Sequence, residues 1–212
     1  MPRFLVVLDV DSTLIEQEII ELLADAAGSR TEVAAITAAA MNGELDFEES
    51  LRTRVATLEG LPESVFTEIG AAIRVTNGVP ELIAGLHAAG GRVGAVSGGF
   101  HEIIDPLAAG LGLDRWRANS LEVAAGVLTG KLRGSVVDAA AKAATMRAWA
   151  EVYGIPLRQT MAVGDGANDL PMMEITGLSV GFDAKAPVRD EADLVMDVRD
   201  LSQLLPLLGL RG

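Results

Sequence analysis

Two aspartates, Asp9 and Asp11, follow the apolar run Phe4 to Leu8 at a spacing of two, so on an extended chain their carboxylates share a face and crowd each other. Like charges that close raise one another's pKa or require a cation. Other apolar runs end in similar groups: Ser97-Gly98-Gly99 follows VGAV, and Gly164-Asp165-Gly166-Ala167-Asn168-Asp169 follows MAV. Alone, each motif reads as turn formers and helix caps. Together they would gather carboxylates, a hydroxyl and several glycines, and carboxylates without His or Cys suit a hard cation, Mg²⁺ above all, that keeps sites for water and phosphate. The glycines after Ser97 would let backbone N–H groups approach an anion at the start of the helix that His101 opens. Lys142, early in a helical stretch from Asp138 to Gly154, is the candidate cation for phosphoryl oxygens; by pattern alone it also reads as a solvated helix lysine.

The elements that must position these residues follow from hydrophobic patterning. FLVVL (4–8), VGAVS (93–97), TMAVG (160–164), LSVGF (178–182) and LVMD (194–197) read as parallel strands buried on both faces. Helical patterns lie between them, in PELIAGLHAAG, HEIIDPLAAGLG, DAAAKAATMRAWAEVYG and DLPMMEITG. Such alternation predicts an α/β fold with a doubly wound, mainly parallel sheet, whose ligands bind beyond the carboxyl ends of the strands. One segment breaks the rhythm: residues 15–75 hold only helix-forming sequence, broken at Gly43, Gly60 and Pro62. It predicts a small helical cap domain inserted after the first strand, over a core of residues 1–14 and 76–212. SLEVAAGVLTGKLRG predicts a hairpin turning at Ala125 and Gly126.

DVDST, SGGF, the lysine of DAAAKA and GDGANDL, in that order, resemble the four motifs of the haloacid dehalogenase superfamily of phosphatases. EQEIIELLA, FEESLRTRV, the KLRG hairpin and AVGDGANDLPM bring the resemblance closer to its phosphoserine-hydrolysing branch and extend it over essentially the whole chain. The resemblance implies that Asp9 attacks phosphorus to give an aspartyl phosphate, and that Asp11 protonates the leaving alkoxide and then activates water. It implies Mg²⁺ on Asp9, the backbone carbonyl of Asp11 and Asp165. Ser97, the amides of Gly98 and Gly99, Lys142 and Asn168 would hold the phosphoryl oxygens, and Asp169 would orient Lys142 or metal-bound water. From the cap, Glu18 should face a substrate ammonium and Arg54 its carboxylate, with Met41 and Phe47 as apolar wall; by pattern alone these four read as solvated helix faces and cap core. Two departures stand out. Lys185-Ala186-Pro187 replaces the Lys-Pro expected in a peripheral loop, and the chain carries no N-terminal regulatory domain, which suggests a form without amino-acid-sensing modules.

Composition narrows the classes further. The 212 residues are 50% hydrophobic, include no cysteine and carry a formal charge of −13, which excludes disulfides and zinc-thiolate sites and argues against nucleic acid. The N-terminal apolar stretch is cut off by Asp9 too early for a signal peptide, no run approaches the ~18 residues of a membrane span, and a cytoplasmic location is expected. His87, His101, Trp116 and Trp149 receive no role, and no P-loop signature occurs. The expected partner is a small phosphorylated amino acid. Phosphohomoserine and phosphoethanolamine remain alternative substrates, and a receiver-like module that accepts phosphate on Asp as a switch is the alternative from another class.

Overall fold

The computed structural model describes residues 3–41 and 44–209. Its centre is a seven-stranded sheet in the order β4-β3-β2-β1-β5-β6-β7, comprising β1 (Leu5–Leu8), β2 (Arg92–Phe100), β3 (Arg115–Ala124), β4 (Val127–Arg133), β5 (Thr160–Gly164), β6 (Leu178–Phe182) and β7 (Leu194–Met196). All neighbours are parallel except β3 and β4. Five predicted strands recur, and the hairpin turns at Ala125 (φ 52°) and Gly126 (φ 79°), the paired left-handed conformations that match strand twist in a two-residue turn.

Strand β1 lies at the centre of the sheet, with Leu8 opposite Ala95 of β2 and Val163 of β5. From there the chain winds to β2 and β3 on one side and later to β5, β6 and β7 on the other. The crevice beside β1 is therefore where the strand order reverses, the place where open α/β sheets bind ligands. Both faces of β1 are covered. Val6 and Leu8 join one hydrophobic cluster, while Leu5 and Val7 join another with Met146, Trp149 and Met172, as alternation on a doubly covered strand requires.

The predicted helices flank this sheet: α5 (Val79–Ala88), α6 (His101–Leu111), α7 (Ala139–Tyr153) and the single turn α8 (Leu170–Met173); a short helix, α9 (Ala186–Glu191), stands where a loop was expected. Between β1 and α5 stand the four helices of the predicted insertion, α1 (Ile19–Ala27), α2 (Arg30–Met41), α3 (Phe47–Ala56) and α4 (Val65–Ala72). Their two ends meet in an antiparallel bridge, Ile15 to Val75, flanked by Glu16 N–H to Arg74 O at 2.9 Å and Thr76 N–H to Leu14 O at 3.0 Å. A second attachment ties the α3–α4 connection to β4 through Gly60 N–H to Leu128 O (2.9 Å) and Leu128 N–H to Leu61 O (2.8 Å). Leu23, Leu51, Val55 and Ile69 of these helices share the cluster that contains Val6 and Leu8. Among the described residues, no helix is long and apolar enough to cross a membrane.

Candidate active site

Strand β1 stops at Leu8, so Asp9 leaves the sheet centre while Asp11 sits in an irregular turn, Val10–Leu14. That placement modifies the expected crowding. The two carboxylates line one cavity, yet they take different partners. Asp9 Oδ1 accepts from Val10 N–H at 2.8 Å and lies 2.7 Å from Lys142 Nζ. Among the described residues no hydrogen bond reaches its Oδ2. Asp11 Oδ1 accepts from Ile19 N–H at 2.9 Å, at the start of α1, and its Oδ2 lies 3.4 Å from Ser97 Oγ. Ser12 holds the turn at a left-handed φ of 57° and donates its hydroxyl to Glu18 Oε1 at 2.7 Å.

Lys142 enters from the first turn of α7, whose start is fixed by Asp138 accepting Ala141 N–H at 2.7 Å. It is wholly buried, and its ammonium bridges Asp9 Oδ1 and, at 2.8 Å, Asp169 Oδ1. Burial would lower its pKa, but the carboxylates of Asp169 and Asp9 outweigh that and hold it above its ordinary value. Asp169 also accepts Gly166 N–H on Oδ2 at 3.2 Å, so both its oxygens are engaged. A side chain on Gly164 would come within 2.3 Å of Asp169 Oδ2, which makes the glycine necessary there.

Strand β2 runs farther than expected. Ser97-Gly98-Gly99 belongs to its last stretch rather than to a loop, with an irregular register between Val96 and Phe100 before α6 starts. Glycines read as a strand break because they lack packing side chains. Here they allow close approach: a Cβ on Gly99 would lie 3.0 Å from Ser97 Oγ and 3.1 Å from Asp11 Oδ2. Ser97 Oγ accepts Gly99 N–H at 2.7 Å.

A cavity of about 100 Å³ collects most of the expected residues. Asp9, Asp11, Asp165, Asn168, Gly98 and Gly99 line it from the strand ends, and Glu18, Phe47 and Arg54 from the helices. Lys142, Ser97 and Asp169 stand behind that wall and are fully buried. The Met41 side chain lies outside the described residues. Sequence reasoning missed four contributors. Ile20 and Leu51 complete the apolar side of the wall. Asn119 on β3 donates to Gly98 O and accepts Val137 N–H, both at 2.8 Å, tying the end of β2 to the segment that leads into α7. Lys185, expected in a peripheral loop, lines the cavity and lies 2.9 Å from Asp165 Oδ2. Its signal was present in the sequence: it follows β6 at the same sheet edge as the other motifs.

Charge is not balanced here. Asp9, Asp11, Glu18, Asp165 and Asp169 meet three cationic side chains, Arg54, Lys142 and Lys185. Burial, reinforced by Glu18, pushes the Asp11 carboxyl up to about 7. Burial and Asp169 push Asp9 well above the ordinary carboxylate range despite Lys142. Burial lowers the Arg54 guanidinium from its ordinary value, against the pull of Glu18 and Asp11. Carboxylate oxygens of Asp9, Asp165 and Asp169, all buried, lie within 4.8 Å of one another. This all-oxygen donor set, short of positive charge, fits a hard divalent cation.

The sequence profile of haloacid dehalogenase-like hydrolases matches residues 6–174. The chain belongs to that family. Relatives of this hydrolase include a phosphoserine phosphatase of Streptococcus thermophilus, 48% identical over 98% of this chain and 97% of that protein. Another, from Streptomyces coelicolor, is 52% identical over 97% of this chain, which spans 50% of that longer protein. Among solved structures, a substrate-bound phosphoserine phosphatase complex shares 40% identity with a TM-score of 0.91, covering 98% of this hydrolase and 99% of its own chain. A phospho-aspartyl intermediate analogue of phosphoserine phosphatase matches with the same values. Nothing in these matches supports the receiver-like alternative.

Proposed function

We propose that the chain hydrolyses O-phospho-L-serine to L-serine and phosphate through an aspartyl phosphate on Asp9. One observation carries this reading: a single cavity has paired aspartates on the strand side and a carboxylate with a guanidinium, Glu18 and Arg54, on the helix side. A phosphomonoester bearing an ammonium and a carboxylate complements both walls. The phosphoserine phosphatase relatives support the same substrate.

Asp9 attacks with Oδ2, since Oδ1 is held by Lys142 and Val10 N–H. The bond between phosphorus and the serine oxygen breaks, and Asp11 gives its proton to that oxygen. A carboxyl with a pKa of about 7 is well suited to this, because an acid that must later serve as base works best near the operating pH. A water molecule then attacks phosphorus, Asp11 takes its proton, and the Asp9 carboxylate is released with phosphate. Ser97, the Gly98 amide, the Gly99 amide once it exchanges Ser97 Oγ for the substrate, Lys142 and Asn168 hold the phosphoryl oxygens as their charge shifts.

Asp9, Asp165 and the Asp11 backbone carbonyl would hold Mg²⁺, which when bound supplies positive charge against the repulsion between carboxylate and phosphate, ~4 kcal/mol per unit charge pair at 4 Å and an effective dielectric of 20. Asp169, with both oxygens engaged, orients Lys142. The helices α1 to α4 act as a cap domain that reads the amino acid and excludes water. Phosphate release from a panel of phosphorylated metabolites, with and without Mg²⁺, tests the reading. Phosphoserine should lead and chelator should stop turnover; equal rates on phosphoethanolamine, which offers Arg54 no carboxylate, would reassign the substrate.

A further inference from the structure

One basic side chain at the site takes no part in the proposed reaction. Lys185 caps α9 and is joined to Asp165 twice: its backbone N–H donates to the Asp165 carbonyl at 2.9 Å, and its Nζ lies 2.9 Å from Asp165 Oδ2. The first contact fixes the loop after β6, so the side chain needs only to fold back to reach the carboxylate of the same residue. The two partners differ in burial. The Lys185 side chain is 60% exposed and that of Asp165 only 8%, so the lysine reaches inward from solvent to a buried carboxylate. Lys142, by contrast, is enclosed between Asp9 and Asp169 and has no route to water. Lys185 does have such a route, because it borders both the central cavity and a larger neighbouring one, and Glu18 lines the same two.

We propose that Lys185 is a displaceable counter-ion: its ammonium holds Asp165 until a divalent cation takes that carboxylate, and then swings to the cavity mouth beside Glu18. This rests on the reading of Asp165 as a metal-holding residue. A buried carboxylate left without a cation is costly, so the lysine keeps the empty site folded and in register. An ammonium and a metal ion cannot both hold the same oxygen. Metal affinity is therefore reduced by the fraction of molecules in which Lys185 is seated, as for any ligand that needs a partly populated state.

Calorimetric titration of Mg²⁺ into metal-free, substrate-free protein tests the proposal. Lys185→Met should bind Mg²⁺ about two- to tenfold more tightly than the parent, the modest range reflecting the exposure of the pair, and should melt at a lower temperature in chelator. Lys185→Arg keeps the charge and should stay near the parent affinity. Unchanged or weaker binding in Lys185→Met would overturn the counter-ion role. Should that variant not fold without metal, the Lys185 side-chain NMR signal of the parent protein decides: it should shift on Mg²⁺ saturation, and an unmoved signal overturns the proposal. A parent that binds no Mg²⁺ would overturn both this role and the metal reading. Mg²⁺ binding by the parent with no gain in Lys185→Met would sink this role alone.

Discussion

Lys142 and Arg54 are both cations beside an anionic cavity, yet Lys142 is wholly buried between Asp9 and Asp169, while Arg54 is partly exposed and, among the described residues, donates only through Nε to Ser50 O, at 3.3 Å. The difference follows from the elements that carry them. Lys142 projects from a helix packed on a doubly covered sheet, and its side chain is wholly buried. Arg54 stands on α3, a helix with charged residues on its outer side and only Ser50, Leu51 and Val55 buried. The strand wall is desolvated, with Asp9, Ser97, Lys142, Asp165 and Asp169 all buried, as charge stabilisation during phosphoryl transfer requires. The helix wall leaves its cation partly exposed, where the proposed reading has it meet a substrate carboxylate.

The largest effect is expected on the strand wall. Lys142→Met leaves Asp9 and Asp169 buried without their cation, which should cost about 3 to 5 kcal/mol of stability and remove turnover. Denaturant unfolding measures the first part. A loss as small as that of a surface pair, below ~1 kcal/mol, would show that the buried trio is not what separates the two walls.

Asp11 comes next, because it stands between the walls. Asp11→Asn should slow turnover by ~10² to 10⁴-fold, as for a lost proton-transfer group. Its pH signature has a definite sign. A carboxyl raised to about 7 in the folded protein binds its proton more tightly than the unfolded chain does. The stability this gives is complete below the unfolded pKa, near 4, and is lost as pH rises through 7. Metal-free protein should therefore melt at a lower temperature at pH 8 than at pH 5.5, and Asp11→Asn should flatten that slope. A parent slope of opposite sign would remove the basis for treating Asp11 as an acid near neutrality.

On the helix wall the effect should be selective. If bound substrate desolvates the Arg54–carboxylate pair under the helices, Arg54→Ala should lower kcat/KM for phosphoserine by a factor corresponding to about 2 to 5 kcal/mol, as for a truncated buried charge pair. Activity on para-nitrophenyl phosphate, which has no carboxylate, should change little. Equal losses on both substrates would make Arg54 a support of the cap rather than a reader of substrate. The smallest effect belongs to the folding of α3 itself: Asp46 accepts Glu49 N–H at 2.8 Å at its start, and Asp46→Ala should cost about 1 kcal/mol in thermal unfolding with kcat nearly intact.

The same division governs what could be read from sequence. The strand ends were legible because burial on both faces writes continuous apolar runs, and Asp9, Asp165 and Asp169 interrupt them abruptly. The helical insertion and the turn at Ala125 and Gly126 were legible from helix-forming sequence and turn chemistry. The strand character of Gly98 to Phe100 was hidden, since glycines carry no hydrophobic signal. Asn119 was hidden too, because its role depends on β3 lying beside β2, a pairing that no local pattern announces. Lys185 was visible, but only the return of its loop to Asp165 distinguishes it from a solvated lysine.

The claim on which both walls depend is that Asp9 carries the phosphoryl group. Rapid acid quenching of the protein with radiolabelled phosphoserine, followed by peptide mapping, tests it most directly. The account predicts an acyl-phosphate label on the peptide containing Asp9, and its complete absence in Asp9→Asn. A label on any other residue, or a phosphoenzyme that persists in Asp9→Asn, would contradict it.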